Sequence, residues 1–191
     1  MNPSDDAQYM KLAFDVAREA LAAEEVPVGC VLVRERTASL KSDDAISHPD
    51  NFPEATVIGQ GRNEVNQSKN ATRHAEFVAV EAAHRSAFSL PAAELFGSTV
   101  TAYCTVEPCI MCADLLTSLG LGRIVYGCRN ERFGATIINL WADRGYRLGE
   151  NLVEGICAEE AVALLREFYT QQNPNAPRPK PKTDKKKLNS L

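Results

Sequence analysis

No apolar run in this 191-residue chain approaches the ~18 residues needed to cross a membrane, and the acidic amino terminus, MNPSDDAQYM, has no apolar stretch of the kind an export signal carries. A soluble chain that is not secreted is expected, working in the cytoplasm or the nucleus, where thiols stay reduced. Its six cysteines (Cys30, Cys104, Cys109, Cys112, Cys128 and Cys157) are then expected to be metal ligands or small core residues rather than disulfide partners. No internal repeat is visible, and histidine is scarce. Only His48, His74 and His84 can supply an imidazole to any site.

What the chain does have is an ordinary globular composition, 45% hydrophobic, and a length that suits one domain with a substantial core. Charge is unevenly spread. Residues 177–191 hold six bases (Arg178, Lys180, Lys182, Lys185, Lys186 and Lys187) against one acid, Asp184, so this end carries +5 and the rest of the chain −9. The tail is too poor in apolar residues to fold alone and reads as a disordered basic arm, 173–191, attached to a domain over 1–172. Such an arm either meets a polyanion such as RNA or serves only to solubilise.

Coarse structure follows from periodicity. Ser4 followed by Asp5 and Asp6 reads as a helix start, and Met10, Ala13, Phe14, Ala17 and Leu21 line one face of that helix. VGCVLV and TVIGQG read as two paired strands joined by a long loop over 35–55. A helix is expected from Ala75 to Phe88, a strand over STVTAYCTVE, a helix over CIMCADLLTSLG closed by Gly120, and a strand over RIVYGC. A last helix covers AEEAVALLREFYTQ, with Val162, Leu165 and Phe168 or Tyr169 turned inward. This alternation predicts an α/β fold, a three-layer α/β/α sandwich with a mixed sheet of about five strands, parallel strands among them.

The chemistry lies in two short motifs. His74 and Glu76 are about 200° apart around a helix, so they converge only at its amino-terminal end. Thirty-five residues after His74 comes Cys109, on a helix opened by Pro108 where Cys109 and Cys112 share a face and the helix amino terminus favours the thiolates that bind metal. One imidazole and two thiolates are three ligands of a tetrahedral zinc site, with a fourth position left for water. Glu76 is then placed to move protons rather than to bind the metal. A closed structural site needs a fourth protein ligand. His84 lies about 15 Å further along the same helix, and Cys30, Cys104 and Cys128 fall in strand-like runs that suit the core. His-x-Glu with Pro-Cys-x-x-Cys is the general signature of zinc nucleobase deaminases.

The likeness goes further. PVGCVLV, GRNEVNQSKNATRHAE, TVEPCIMC and VYGCRNERFG, with QQNPNAP before a basic tail, resemble the catalytic subunits of eukaryotic tRNA wobble adenosine deaminases, within the cytidine and deoxycytidylate deaminase superfamily. The resemblance implies a cytidine deaminase-like fold, conversion of adenosine to inosine in the tRNA anticodon stem-loop, and a heterodimer with a related subunit that lacks the catalytic glutamate. It also implies that Asn63 holds the target base, with an amide able both to donate and to accept. Carbonyls near Glu107 and N–H groups near Gly29 are expected to handle the leaving ammonia and the base ring. Arg129 and Arg132 either reach anticodon phosphates or are solvated loop charges. Two departures concern the rim of the pocket: Ala135 stands where the family usually has a second glycine after FG, and the 35–55 segment is longer than expected. The alternative of the same chemistry is a deaminase of free cytosine- or guanine-type bases or nucleosides; a noncatalytic subunit that only binds tRNA leaves Glu76 without a task.

Overall fold

Strands with apolar side chains on both faces must be covered on both faces. Residues 29–33 and 100–106 are buried throughout, and the structure, a computed structural model that describes residues 3–35, 55–86 and 92–171, covers them with helices on either side. In chain order the elements are α1 (Pro3–Ala22), β1 (Gly29–Glu35), β2 (Ala55–Arg62), α2 (Val65–Ser68), α3 (Ala75–Ser86), α4 (Ala92–Leu95), β3 (Val100–Val106), α5 (Ile110–Ser118), β4 (Arg123–Cys128), a 3-10 turn (Ala135–Ile138), α6 (Leu140–Asp143), β5 (Leu152–Val153) and α7 (Ala158–Thr170). The sheet order is β2-β1-β3-β4-β5. β1 runs antiparallel to both β2 and β3, while β3, β4 and β5 are parallel. This is the mixed five-strand α/β/α arrangement expected from the sequence. The expected loop, bar its end residues, and the basic tail with Arg178, Lys180, Lys182, Lys185, Lys186 and Lys187 lie outside the described residues.

Period-two alternation sorts the core into two halves. Val31, Val33, Tyr103 and Val125 pack with Met10, Phe14 and Leu164 under α1 and α7. Cys30, Leu32, Ala102, Cys104, Ile124 and Tyr126 face the other way, onto Ala75, Ala79 and Ala83 of α3 and Ala113 and Leu116 of α5. Cys30 and Cys104 are therefore core residues, opposite each other across β1 and β3 with sulfurs 3.7 Å apart, and Cys128 is buried too.

Two expectations change. Asp6, read as part of a helix start, is buried, where its carboxylate takes two bonds from Arg123, at 2.6 and 2.7 Å, and one from the Tyr103 hydroxyl at 3.0 Å. It pins α1 to the middle of the sheet. On α7 the inward row is Ala161 and Leu164, with Val162, Leu165 and Phe168 half-buried beside it and Tyr169 60% exposed. The small Ala161 lets the helix sit close to β4, which moves the contact row by one position. The described part of α3 is Ala75–Ser86, the expected end at Phe88 lying outside the described residues, and β5 had no separate signal because it is two residues long.

Helix α3 packs directly against β2. Gly59 and Gly61 of β2 lie directly under its backbone, and a Cβ on Gly61 would run into Ala75 and Ala79. Gly61→Ala is therefore expected to push α3 off the sheet at a cost of about 1–3 kcal/mol. A thermal melt checks it: roughly 2–4 °C is lost per kcal/mol in a chain this size, and an unchanged melting temperature would mean the contact is not tight.

Candidate active site

Two helix amino termini meet at one end of the sheet. His74 is the N-cap of α3, its carbonyl accepting the Val78 N–H at 3.1 Å, and Cys109 is the N-cap of α5, its carbonyl accepting the Ala113 N–H at 2.8 Å. The helix thus starts one residue later than Pro108 suggested, with Cys112 in its first turn. His74 Nδ1 lies 3.5 Å from each of the two sulfurs, and the sulfurs lie 3.5 Å from each other. This is the one His/Cys/Asp/Glu grouping among the described residues that could hold a metal ion.

The two thiols titrate as a pair. The hydrogen bond shared with Cys112 and the neighbouring imidazole bring Cys109 down to about 4, while Cys112 holds its proton more tightly because Cys109 is beside it, because it is buried and because Glu76 lies near. His74 is raised, chiefly through its bond to Cys109. Glu76, in the first turn of α3, is 3% exposed. Burial lifts its carboxyl above the ordinary range, with the Cys109 sulfur adding to the effect, while its own backbone N–H, Cys112 and His74 pull the other way. A carboxyl with a raised affinity for protons, held beside the reacting centre, is suited to taking a proton and returning it.

Asn63 follows β2 and is buried. Its side-chain carbonyl accepts the Ala75 N–H at 3.0 Å, capping α3 from outside. The side-chain nitrogen has no hydrogen-bond partner among the described residues, and the oxygen keeps a second lone pair, so the amide retains both donor and acceptor capacity. Its segment is braced further: Glu64 N–H bonds the Arg73 carbonyl at 3.0 Å, the Arg73 guanidinium pairs with Glu64 at 2.9 Å and with Glu81, and the Glu25 carboxylate takes the Gln67 N–H at 2.8 Å. Gly29 differs from expectation, because its N–H donates to the Thr105 hydroxyl at 3.1 Å and is not free for a base.

Glu107 is the functional residue that sequence reasoning missed. It is 3% exposed, and its carboxylate accepts from the Asn130 N–H at 3.1 Å, the Thr136 N–H at 2.9 Å, the Thr136 hydroxyl at 2.6 Å and the Trp141 indole at 3.2 Å. A buried carboxyl group is held here by four donors. They fasten the Arg129–Thr136 loop onto the strand that leads into Cys109. Pro preceding the cysteine gave no sign of this, since the donors come from 23 to 34 residues further on. Ala135 is buried at the start of the 3-10 turn, bonded to the Pro108 carbonyl, with no left-handed backbone that would require the family's glycine. Arg129 is tied to Glu154 by two bonds of 2.8 and 2.9 Å, and Arg132 is exposed on the loop.

The donor set fits zinc. Tetrahedral zinc, at about 2.3 Å from sulfur and about 2.0 Å from nitrogen, sets ligand-to-ligand edges of about 3.5–3.8 Å, which the triangle matches. When bound there, zinc supplies Lewis acidity that makes hydroxide available near neutral pH. One zinc per chain is expected by elemental analysis, lost in His74→Ala, Cys109→Ala or Cys112→Ala and kept in Cys157→Ala, which alters an exposed thiol. Full zinc in Cys112→Ala would place the metal elsewhere.

Known proteins agree with this geometry. Residues 52–128, which hold all four groups, match the cytidine and deoxycytidylate deaminase zinc-binding region. The chain is 42% identical over 192 residues to tRNA-specific adenosine deaminase 2 of Danio rerio, covering 96% of this chain and 80% of that one. It is 38% identical over 176 residues to the tRNA-specific adenosine deaminase subunit tad2 of Schizosaccharomyces pombe, covering 91% of this chain and 39% of the other. Among solved structures, one from a study of A-to-I editing by tRNA:A34 deaminases superimposes with a TM-score of 0.61 at 23% identity, over 82% of this chain and 98% of that one, which bears on the fold alone. With a zinc-ligand triangle and buried glutamate inside the matched region, and identity running along nearly the whole chain, this protein belongs to the tRNA-specific adenosine deaminase 2 family.

Proposed function

We propose that this chain is a zinc-dependent tRNA adenosine deaminase that converts adenosine to inosine at the wobble position of anticodons, as the catalytic subunit of a heterodimer. The observation that carries the reading is Glu76, buried against the His74–Cys109–Cys112 triangle in a chain so similar to tRNA-specific adenosine deaminase 2. The reaction replaces the C6 amino group by oxygen: water adds at C6, the C–N bond breaks, and ammonia leaves. Glu76 takes a proton from the attacking water and gives it to N1 of the ring, then takes the remaining proton from the hydroxyl formed at C6 and gives it to the departing nitrogen, so proton gain and loss balance on a single carboxyl. Asn63 Nδ2 donates to an acceptor nitrogen of the purine. Of the two arginines on the loop next to the site, Arg132 serves a flanking phosphate, while Arg129 is taken up by Glu154. An anticodon base is already in a loop, so taking it out of the stack costs less than from a duplex.

The second subunit is a noncatalytic relative. Its presence is supported by the word "subunit" in the name of the fission yeast protein, and by apolar surface available for it. That surface is a cavity of about 420 Å³ lined by Phe77, Val80, Phe96, Leu115 and Leu119, on the flank of α3 and α5 away from Glu76.

The test is inosine formation in transcribed tRNA carrying adenosine at the wobble position, using the chain with and without the candidate subunit. Inosine in the tRNA is expected, with more in the co-expressed pair. Ammonia from free nucleosides with none from tRNA would replace the reading by a small-molecule deaminase. Glu76→Ala is expected to abolish inosine while zinc content and fold stay intact; activity within about tenfold of wild type would assign proton transfer to another group.

The basic tail adds grip that an acidic body does not. Truncation after Pro177 is expected to weaken binding of all tRNAs alike and to reduce the slope of log affinity against log salt by roughly 2–4, from three to six lost phosphate contacts. Unchanged affinity and slope would show that the tail is not part of the RNA grip.

A further inference from the structure

Phe133 is a large aromatic side chain left 57% exposed beside the active site. Its stem is held on every side. The Phe133 carbonyl accepts the Ile110 N–H at 3.0 Å, its own N–H donates to Asn130 Oδ1 at 3.1 Å, the Gly134 N–H returns to the Asn130 carbonyl at 2.9 Å, and the Asn130 N–H is bonded to Glu107. The next residue, Gly134, forms a backbone bridge to the metal ligand Cys109. The ring is thus displayed from a fixed loop one residue from the zinc helix. The Arg132 guanidinium lies 5.2 Å from its centroid. Unlike Arg129, which is neutralised by Glu154, Arg132 pairs with no carboxylate among the described residues.

A ring carried on a fixed backbone, with a guanidinium over it that meets no carboxylate among the described residues, supplies the two groups that single-stranded nucleic acid uses, a base stacking on the ring and a phosphate meeting the charge. We propose that Phe133 is the stacking face for a base flanking the target adenosine in the anticodon loop, with Arg132 on the adjoining phosphate. The proposal rests on the reading of tRNA as substrate. The competing occupant is an apolar protein surface, for which the exposed Ile137 and Ile138 nearby would be suited. Charge favours RNA: a protein covering Phe133 would also desolvate Arg132 without a carboxylate from this chain, whereas a phosphate neutralises it.

The experiment compares wild type with Phe133→Leu, Phe133→Tyr and Arg132→Gln, each full length and in whichever assembly makes inosine in tRNA. Phe133→Leu is expected to raise Kd and KM for tRNA about 5- to 100-fold, with kcat at saturating tRNA lowered far less, because stacking on a neighbouring base adds binding common to ground and transition states. Phe133→Tyr keeps a stacking ring and restores affinity. Arg132→Gln reduces the salt slope by about 0.7, and this reading stands even if Phe133→Leu does not fold. Wild-type affinity in Phe133→Leu overturns the proposal. So does equal loss in Leu and Tyr, which would indicate a shaped apolar socket, and so does loss of subunit association in place of tRNA affinity, which would make the surface a protein interface. A wild-type assembly that neither binds nor edits tRNA would instead overturn the substrate reading.

Discussion

A carboxyl and two sulfurs crowd into one dry corner of this molecule, and much of the architecture answers the problem of negative charge that they create. Glu76 and Cys112 are buried beside each other and both hold their protons more tightly, whereas Cys109, next to the imidazole, gives its proton up readily. Two features offset that cost. The amino termini of α3 and α5 both point at the cluster, and each contributes partial positive charge and free N–H groups. A divalent cation held by His74, Cys109 and Cys112 would complete the balance. Without it Cys112 keeps its proton, whereas with it both sulfurs are stable as thiolates.

Bringing the ligands on two helix ends within 3.5 Å of each other demands that the helices be fixed along their length. For α3 this is done by small residues, since Ala75, Ala79 and Ala83 lie on the glycines of β2 with no intervening side chain. For α5 it is done by β3, which delivers Pro108 and Cys109 directly from the end of a fully buried strand. The surrounding polar groups serve the same end. Asn63 uses its amide oxygen to cap α3, and Glu107 uses four bonds to hold the loop beside Cys109. Positioning by charge-assisted bonds on strands and helix ends gives the tolerance that proton transfer requires.

How much of this was legible depended on whether the signal was local. The zinc triangle and Glu76 were readable because spacing within a helix turn fixes which side chains share a site, and His-x-Glu and Cys-x-x-Cys each encode that in three or four residues. The two-faced strands were readable from their apolar runs. The bonds of Glu107 were not, because its partners lie in a loop of irregular backbone whose course depends on the whole fold. The role of Gly29 was hidden for the same reason: its N–H is claimed by Thr105 on a neighbouring strand. The α7 face shifted by one position because an amphipathic helix with Ala, Val and two leucines has several near-equal ways to face a sheet, and the closeness of approach decides among them.

Charge pairing then determines where RNA can be gripped. Among the described residues Arg18, Arg73, Arg123, Arg129 and Arg144 each hold a carboxylate of the chain itself, so they add little attraction for phosphate despite being cations. An acidic body with its arginines neutralised repels RNA at long range and attracts it only at particular points. Recognition by such a surface has to depend on short-range groups near the site, a ring to stack on and a few unpaired donors, rather than on a broad basic face. That division suits an enzyme whose target is one base in a short loop, since short-range contacts discriminate one loop from another where diffuse charge attracts all alike.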